Sequence, residues 1–180
     1  SNRIRELWIQ NEPVSHFFNT REGLTTGDNE KFLRFWFEVG QSEIHSDYVP
    51  PKSFEQRWYR YAKGGGYRKW FGNLEYVVDW KDDGDRIRRN IDKETGRVRS
   101  HNYNGAYAFL AGISWSGLTS GFPSFRYLPP GLMFDAKAPS AFGDKQLRDA
   151  LAYLNSNVVR HLLELIAPTF DFKLSHVHSL

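Results

Sequence analysis

The segment from Lys63 to Trp80 restricts the fold of this chain more than any other stretch. Three consecutive glycines, Gly64 to Gly66, interrupt regular structure and let the backbone approach a neighbour closely, because no Cβ intervenes. Tyr67, Arg68, Lys69, Trp70 and Phe71 follow, and then Leu74, Tyr76, Val78 and Trp80 alternate with Glu75, Val77 and Asp79. That period of two is the signature of a half-buried strand. Gly72-Asn73 is a favoured turn composition, so 67–71 and 74–80 are expected to pair as a hairpin. Between Gln56 and Leu74 stand five cations (Arg57, Arg60, Lys63, Arg68, Lys69) and no carboxylate. Cations neutralise phosphates and flat rings stack on bases. The stretch reads as facing a polyanion, nucleic acid before others.

The rest of the chain supplies short strands and late helices. Residues 31–39 read as a strand with Leu33, Phe35, Phe37 and Val39 on one face and Arg34, Trp36 and Glu38 on the other. Pro50-Pro51 marks a loop, and Trp58 to Tyr61 reads as a strand that the glycines end. Asp82 to Asn90 is expected as a short helix and Asp92 to Gly96 as a turn. Further short strands are expected near 107–110, 112–116, 124–128 and 132–136. Two helices close the chain, within 144–153 and 156–166. The second has Val158, Val159, Leu162, Leu163 and Ile166 as its apolar face, and Pro168 just beyond it. The expected fold is α+β: a mixed, largely antiparallel twisted sheet of short strands with two C-terminal helices. Residues 1–180 form a single domain, with 1–20 as an N-terminal connecting segment.

Composition narrows the function classes. A chain of 180 residues with 40% apolar residues, among them 14 Phe, 9 Tyr and 6 Trp, can bury a substantial core and is not disordered. Trp80 and Trp115 are expected to pack, whereas Trp70, beside Lys69 and the turn, is the best candidate for exposure. The net charge is only +3, so binding of a polyanion needs a local patch. Cysteine is absent, which excludes a disulfide framework and cysteine-based metal sites. No apolar run has the length of a membrane span or signal peptide, so a cytoplasmic location without membrane partners is expected. Met133 is the only methionine and Ser1 the first residue; an excised piece of a longer chain is expected.

Each candidate site has a bland counterpart. Lys63 to Lys69 lacks the spacing of a nucleotide P-loop, and it is either a nucleic-acid contact or a strand connection with solvated cations. Arg68 and Lys69, being adjacent, point to opposite faces if extended. Arg86, Arg88, Arg89, Lys93, Arg97 and Arg99 form a second basic stretch. Arg86 and Arg89 fall on one side of the expected helix, to track phosphates or simply to be solvated. Thr25, Thr26, Asp28 and Asn29 could contact base edges or organise their own turn. Asp135-Ala136-Lys137 and Asp171-Phe172-Lys173 match half of a metal-dependent nuclease pattern, which needs a further acid and Mg²⁺. His161, His176 and His178 do not form a convincing ligand set, and no metal is expected. No Gly-x-Ser-x-Gly elbow supports a serine hydrolase.

Beyond these patterns, Gly23-Leu24-Thr25-Thr26-Gly27-Asp28-Asn29, continuing through Phe32-Leu33-Arg34, Trp36 and Glu38-Val39, resembles a segment of PglX-like adenine-specific DNA methyltransferases. These are enzymes of BREX phage-defence and restriction-modification systems. Lys63 to Trp80 resembles a second segment of that family. Gly112 to Ser116, Ser124 to Pro129, Leu154 to Val159 and Pro168 to Phe170 resemble others in the same order. The family's Asn/Asp-Pro-Pro-Tyr/Phe motif and its glycine-rich turn for S-adenosylmethionine are absent: Pro50-Pro51 follows Val49, and Pro129-Pro130 follows Leu128. The resemblance therefore implies the target-recognition region that follows the catalytic core. It implies double-stranded DNA as partner, together with the methyltransferase core of the same chain; other defence-system proteins are further candidates. S-adenosylmethionine belongs to the missing core, with no cofactor and no catalytic residue in this piece. The expected DNA contacts are Arg68, Lys69 and Asn73, with Lys63 and Trp70 beside them, then Arg86, Arg89 and Arg126, and the loop residues Thr25, Thr26 and Asn29. A module that braces the core is the competing class, and a stand-alone nuclease a third.

Overall fold

The computed structural model describes residues 6, 10–143, 146–169 and 171–180. In chain order its elements are α1 (Val14–Phe17), β1 (Asn19–Arg21), α2 (Asn29–Phe32), β2 (Leu33–Phe35), β3 (Ile44–His45), β4 (Trp58–Ala62) and β5 (Tyr76–Asp79). They continue with α3 (Lys81–Arg88), β6 (Gly112–Trp115), β7 (Phe125–Leu128), β8 (Met133–Phe134), β9 (Ser140–Phe142), α4 (Leu147–Leu154), α5 (Asn157–Ile166) and α6 (Leu174–His178). The fold is α+β with mixed, largely antiparallel strands, as expected, but the strands divide into two sheets. The first runs β1-β9-β6-β7, all antiparallel. The second runs β2-β5-β4-β3, where β3 and β8 pair in parallel with successive halves of β4.

Each sheet packs one face on a main core and buries a smaller cluster on the other, Leu128 and Phe142 on the first sheet and Ile44, Trp58 and Val77 on the second. Ile113, Trp115 and Phe125 of the first pack on Leu154, Val159 and Leu163 of the C-terminal helices. Ser156 caps α5 by accepting the Val159 N–H at 3.2 Å, which satisfies one of the donors a helix start leaves free. At the junction of α4 and α5, the Asn155 side chain behaves as a one-residue strand. Its Oδ1 accepts the Phe125 N–H at 3.1 Å, and its Nδ2 donates to the Phe125 carbonyl at 2.9 Å. The second core gathers Leu33, Tyr59, Tyr61, Val78, Trp80, Ile87 and Met133. Trp80 and Trp115 are buried and Trp70 is exposed, as anticipated.

Several local expectations change. Residues 31–39 are not one strand: Asp28 caps a helical turn by accepting the Lys31 N–H, and Glu38 accepts the Phe35 N–H at 2.7 Å to close a 3-10 turn over Trp36–Glu38. Such side-chain-to-backbone bonds compete with a ladder, and here they leave Phe35, Trp36 and Phe37 exposed with Phe32 and Leu33 inside. The 67–71 hairpin arm does not form, because β5 pairs with β2 and β4 instead. The 107–110 region holds a 3-10 turn rather than a strand. The helix after Trp80 opens with Asp82, Asp83 and Gly84 all left-handed (φ 52°, 56° and 74°), and a Cβ on Gly84 would lie 2.6 Å from the Trp80 ring. The segment expected to connect, 1–20, is woven in over its described part: Val14 and Phe18 are buried, and Asn19 and Thr20 pair with β9. A third closing helix, α6, was not anticipated.

Asn155→Leu is expected to take the Asn155 partner from the Phe125 N–H, while the Phe125 carbonyl keeps the Trp70 N–H, and to destabilise the chain by about 1–3 kcal/mol, the cost of leaving a buried donor unpaired. Asn155→Asp, which keeps the acceptor, should lose less; denaturant midpoints of the two variants test the order.

Candidate nucleic-acid interface

The glycine loop is held from beneath by two serines and a buried arginine. Gly64 and Gly65 have φ of 82° and 137°, which explains why glycine stands there. Ser116 Oγ accepts the Gly65 N–H at 3.1 Å and donates to the Gly65 carbonyl at 2.8 Å. Ser124 Oγ accepts the Arg68 N–H at 3.2 Å, and Asn73 Nδ2 donates to the Gly66 carbonyl at 3.0 Å. Trp70 then adds its backbone to the edge of β7: its N–H donates to the Phe125 carbonyl and its carbonyl accepts from Tyr127.

Arg126 ties these supports together. Its guanidinium donates to Ser116 Oγ and Ser124 Oγ, both at 3.2 Å, and to the Ser124 carbonyl. It is 2% exposed and makes no ion pair among the described residues. Burial, above all, brings its pKa down from the ordinary 12.5 to about 10; Glu75 acts in the opposite direction and Arg68 adds to the fall. Arg126, expected as a DNA contact, is therefore a scaffold for the loop. Asn73, also buried, is another.

The other expected contacts divide by partner. Lys63 reaches the buried Asp135 at 3.2 Å, and Lys69 donates to the Asn155 carbonyl at 2.8 Å. Thr26 is buried and donates to Asn29 Oδ1 at 2.7 Å, while Thr25 pairs through its backbone with His101. These side chains organise structure. Arg68 is exposed and pairs with Glu75 at 2.8 Å; Arg89, also exposed, pairs with Asp85 at 2.8 Å; and Arg86 pairs with Asp79. Trp70 projects beside Tyr67 and Phe71, each more than half exposed. Asp135 accepts from Tyr61 Oη and the Lys137 N–H as well as from Lys63, so the nuclease-like triplet is committed to packing. No group of three or more His, Asp or Glu side chains converges for a metal among the described residues. Nor is any described helix long and apolar enough to cross a membrane.

Register reveals a cationic surface that linear reading missed. Arg34 of β2 and Arg60 of β4 both pair with Val77 of β5, so the two arginines flank that residue on one face of the second sheet. Period-two alternation puts Glu75 and Asp79 on the same face as Val77. Arg68 stands at the Glu75 end. Arg57, stacked 4.9 Å over Trp58, and Arg86 both hold Asp79. Arg57, Arg68 and Arg86 thus meet two carboxylates along about 13 Å of strand, while Arg34 donates to the Glu30 and Leu33 carbonyls and Arg60 lies over the Tyr48 ring. The signal lay in cross-strand register, which needs the pairing to be known.

Comparison with known proteins places the sequence. The chain is 45% identical over 181 aligned residues, 99% of its length, to the adenine-specific methyltransferase PglX of Lacticaseibacillus casei (strain Zhang). It is 34% identical over 158 residues, 85% of its length, to the adenine-specific methyltransferase BrxX of Escherichia coli O9:H4 (strain HS). The resemblance to PglX-like adenine-specific methyltransferases holds. The chain spans 15% and 12% of the length of those relatives, and both alignments include most of the arginine-bearing sheet and the glycine loop or all but a small part of the chain. No family model matches the chain.

Ser116→Ala should remove three hydrogen bonds at the loop base, destabilise the fold by about 1–3 kcal/mol, and speed amide exchange at Gly65 more than in the β5 ladder. Hydrogen exchange followed residue by residue checks both effects.

Proposed function

We propose that this chain is a DNA target-recognition region of an adenine-specific methyltransferase of a phage-defence or restriction-modification system. The observation that carries the reading is the face of the second sheet on which Arg34, Arg57, Arg60, Arg68 and Arg86 outnumber Glu75 and Asp79. The Arg68–Glu75 pair leaves both partners exposed, and exposed ion pairs are worth little, so a phosphate can replace Glu75 there at small cost. Arg57 and Arg86 are about half exposed and keep the buried Asp79, so a phosphate would join that cluster without displacing the carboxylate. The span of about 13 Å between the two ends is close to the width of a major groove, about 12 Å. Phosphates gripped at both ends would position a duplex, while the exposed Tyr67, Trp70 and Phe71 offer ring faces to bases.

In this reading the chain does not perform the methyl transfer. S-adenosylmethionine and the residues that flip and methylate adenine belong to another part of the protein, with a cytoplasmic setting expected for the whole. The glycine loop is no substitute site: a Cβ on Gly64 would lie 3.0 Å from the Lys137 carbonyl, and one on Gly65 would lie 3.3 Å from the Asn73 side chain, so the glycines serve close packing. Arg68, Arg86 and Trp70 keep the roles expected of them, and Arg34, Arg57 and Arg60 join them.

The chain should retard duplex DNA with an affinity that falls steeply with salt. Arg60→Ala and Arg68→Ala should each lower the slope of log K against log salt by about one, and together should weaken binding about tenfold or more at low salt. Duplex binding without salt dependence, or slopes unchanged in both variants, would remove the basis of the reading.

A further inference from the structure

The opposite face of the same sheet ends in a ring cluster that stays exposed among the described residues. Phe35 of β2 and Tyr76 of β5 are cross-strand partners on the side that forms the second core, one step beyond the buried Leu33 and Val78. Their rings stack at 4.7 Å; Phe37 stacks on Phe35 at 5.3 Å with planes 4° apart, and Trp36 meets Phe37 edge-on at 5.8 Å. The core thus continues outward as a four-ring row. Phe37 is 65% exposed and Trp36 43%. Rings of this size presented together are a recognition surface, since they gain most from removal of water.

The flat apolar faces of these rings favour an apolar protein surface as partner. Edge position adds to the fit, because β2 is paired only on its β5 side.

We infer that the Phe35-Trp36-Phe37-Tyr76 cluster docks against the remainder of the methyltransferase chain, through an apolar surface of that remainder. In the Lacticaseibacillus relative, 85% of the protein lies outside the matched segment, so a covering surface is available within one polypeptide. The cluster would fix the recognition region to the catalytic part. This inference depends on the homology and is independent of DNA binding by the arginines.

Hydrogen exchange of this 180-residue chain, compared with exchange of the full-length methyltransferase that contains it, tests the docking. Amides from Phe35 to Val39 should exchange about tenfold or more slowly in the full-length protein. Phe37→Asp in the full-length protein should return them to the rate of the isolated chain, and the same variant of the isolated chain should keep its melting temperature and its DNA salt slope. Equal exchange in the two proteins would overturn the inference. So would protection that appears only on adding duplex DNA, which would assign the rings to nucleic acid. Concentration-dependent dimerisation of the isolated chain, abolished by Phe37→Asp, would assign them to a second copy and overturn it equally.

Discussion

A guanidinium sealed inside the fold without a carboxylate is the interaction on which the rest depends. Arg126 has exchanged water for two serine hydroxyls and a carbonyl, a trade that disfavours the charged form. The compensation is structural: the same hydroxyls hold the glycine loop, so a single side chain couples β6, β7 and the Gly65 and Arg68 backbone. Asn155 extends that coupling to the helices and meets Lys69 through its carbonyl. The loop therefore presents its rings from a fixed base, although it contains three glycines.

Much of the architecture was legible from pattern. The strands at 58–61, 112–116 and 124–128 follow from short apolar and aromatic runs between turn residues, and the helices at 147–154 and 157–166 from apolar periodicity, and the α+β class follows from them. Local chemistry defeated the pattern between residues 28 and 39. There a capping aspartate and a back-bonding glutamate outweighed a convincing alternation of large apolar side chains. The hairpin at Gly72-Asn73 failed for a different reason: β5 had two better partners far away in sequence, and no local signal can report a distant competitor.

The site was half legible. Composition pointed to the same neighbourhood as the proposed site, because the cations between Gln56 and Leu74 include three of the five arginines on the sheet face. It could not separate tool from support. Lys63, Asn73 and Arg126 have the chemistry of DNA contacts and are spent on Asp135, Gly66 and two serines. Burial makes that distinction, and burial is a property of the assembled chain. Arg34 was passed over because it belongs with Val77 and Arg60 only across the ladder.

Strand β4 carries the two characters of the sheet on alternate residues, Tyr59 and Tyr61 inward and Trp58 and Arg60 to the other side. A deletion or insertion of one residue there would invert both sets at once, driving a guanidinium among aromatic rings and a tyrosine toward solvent. Change along this strand is consequently confined to replacement in place. The arginine surface can diversify one position at a time, while its spacing stays locked to the core behind it.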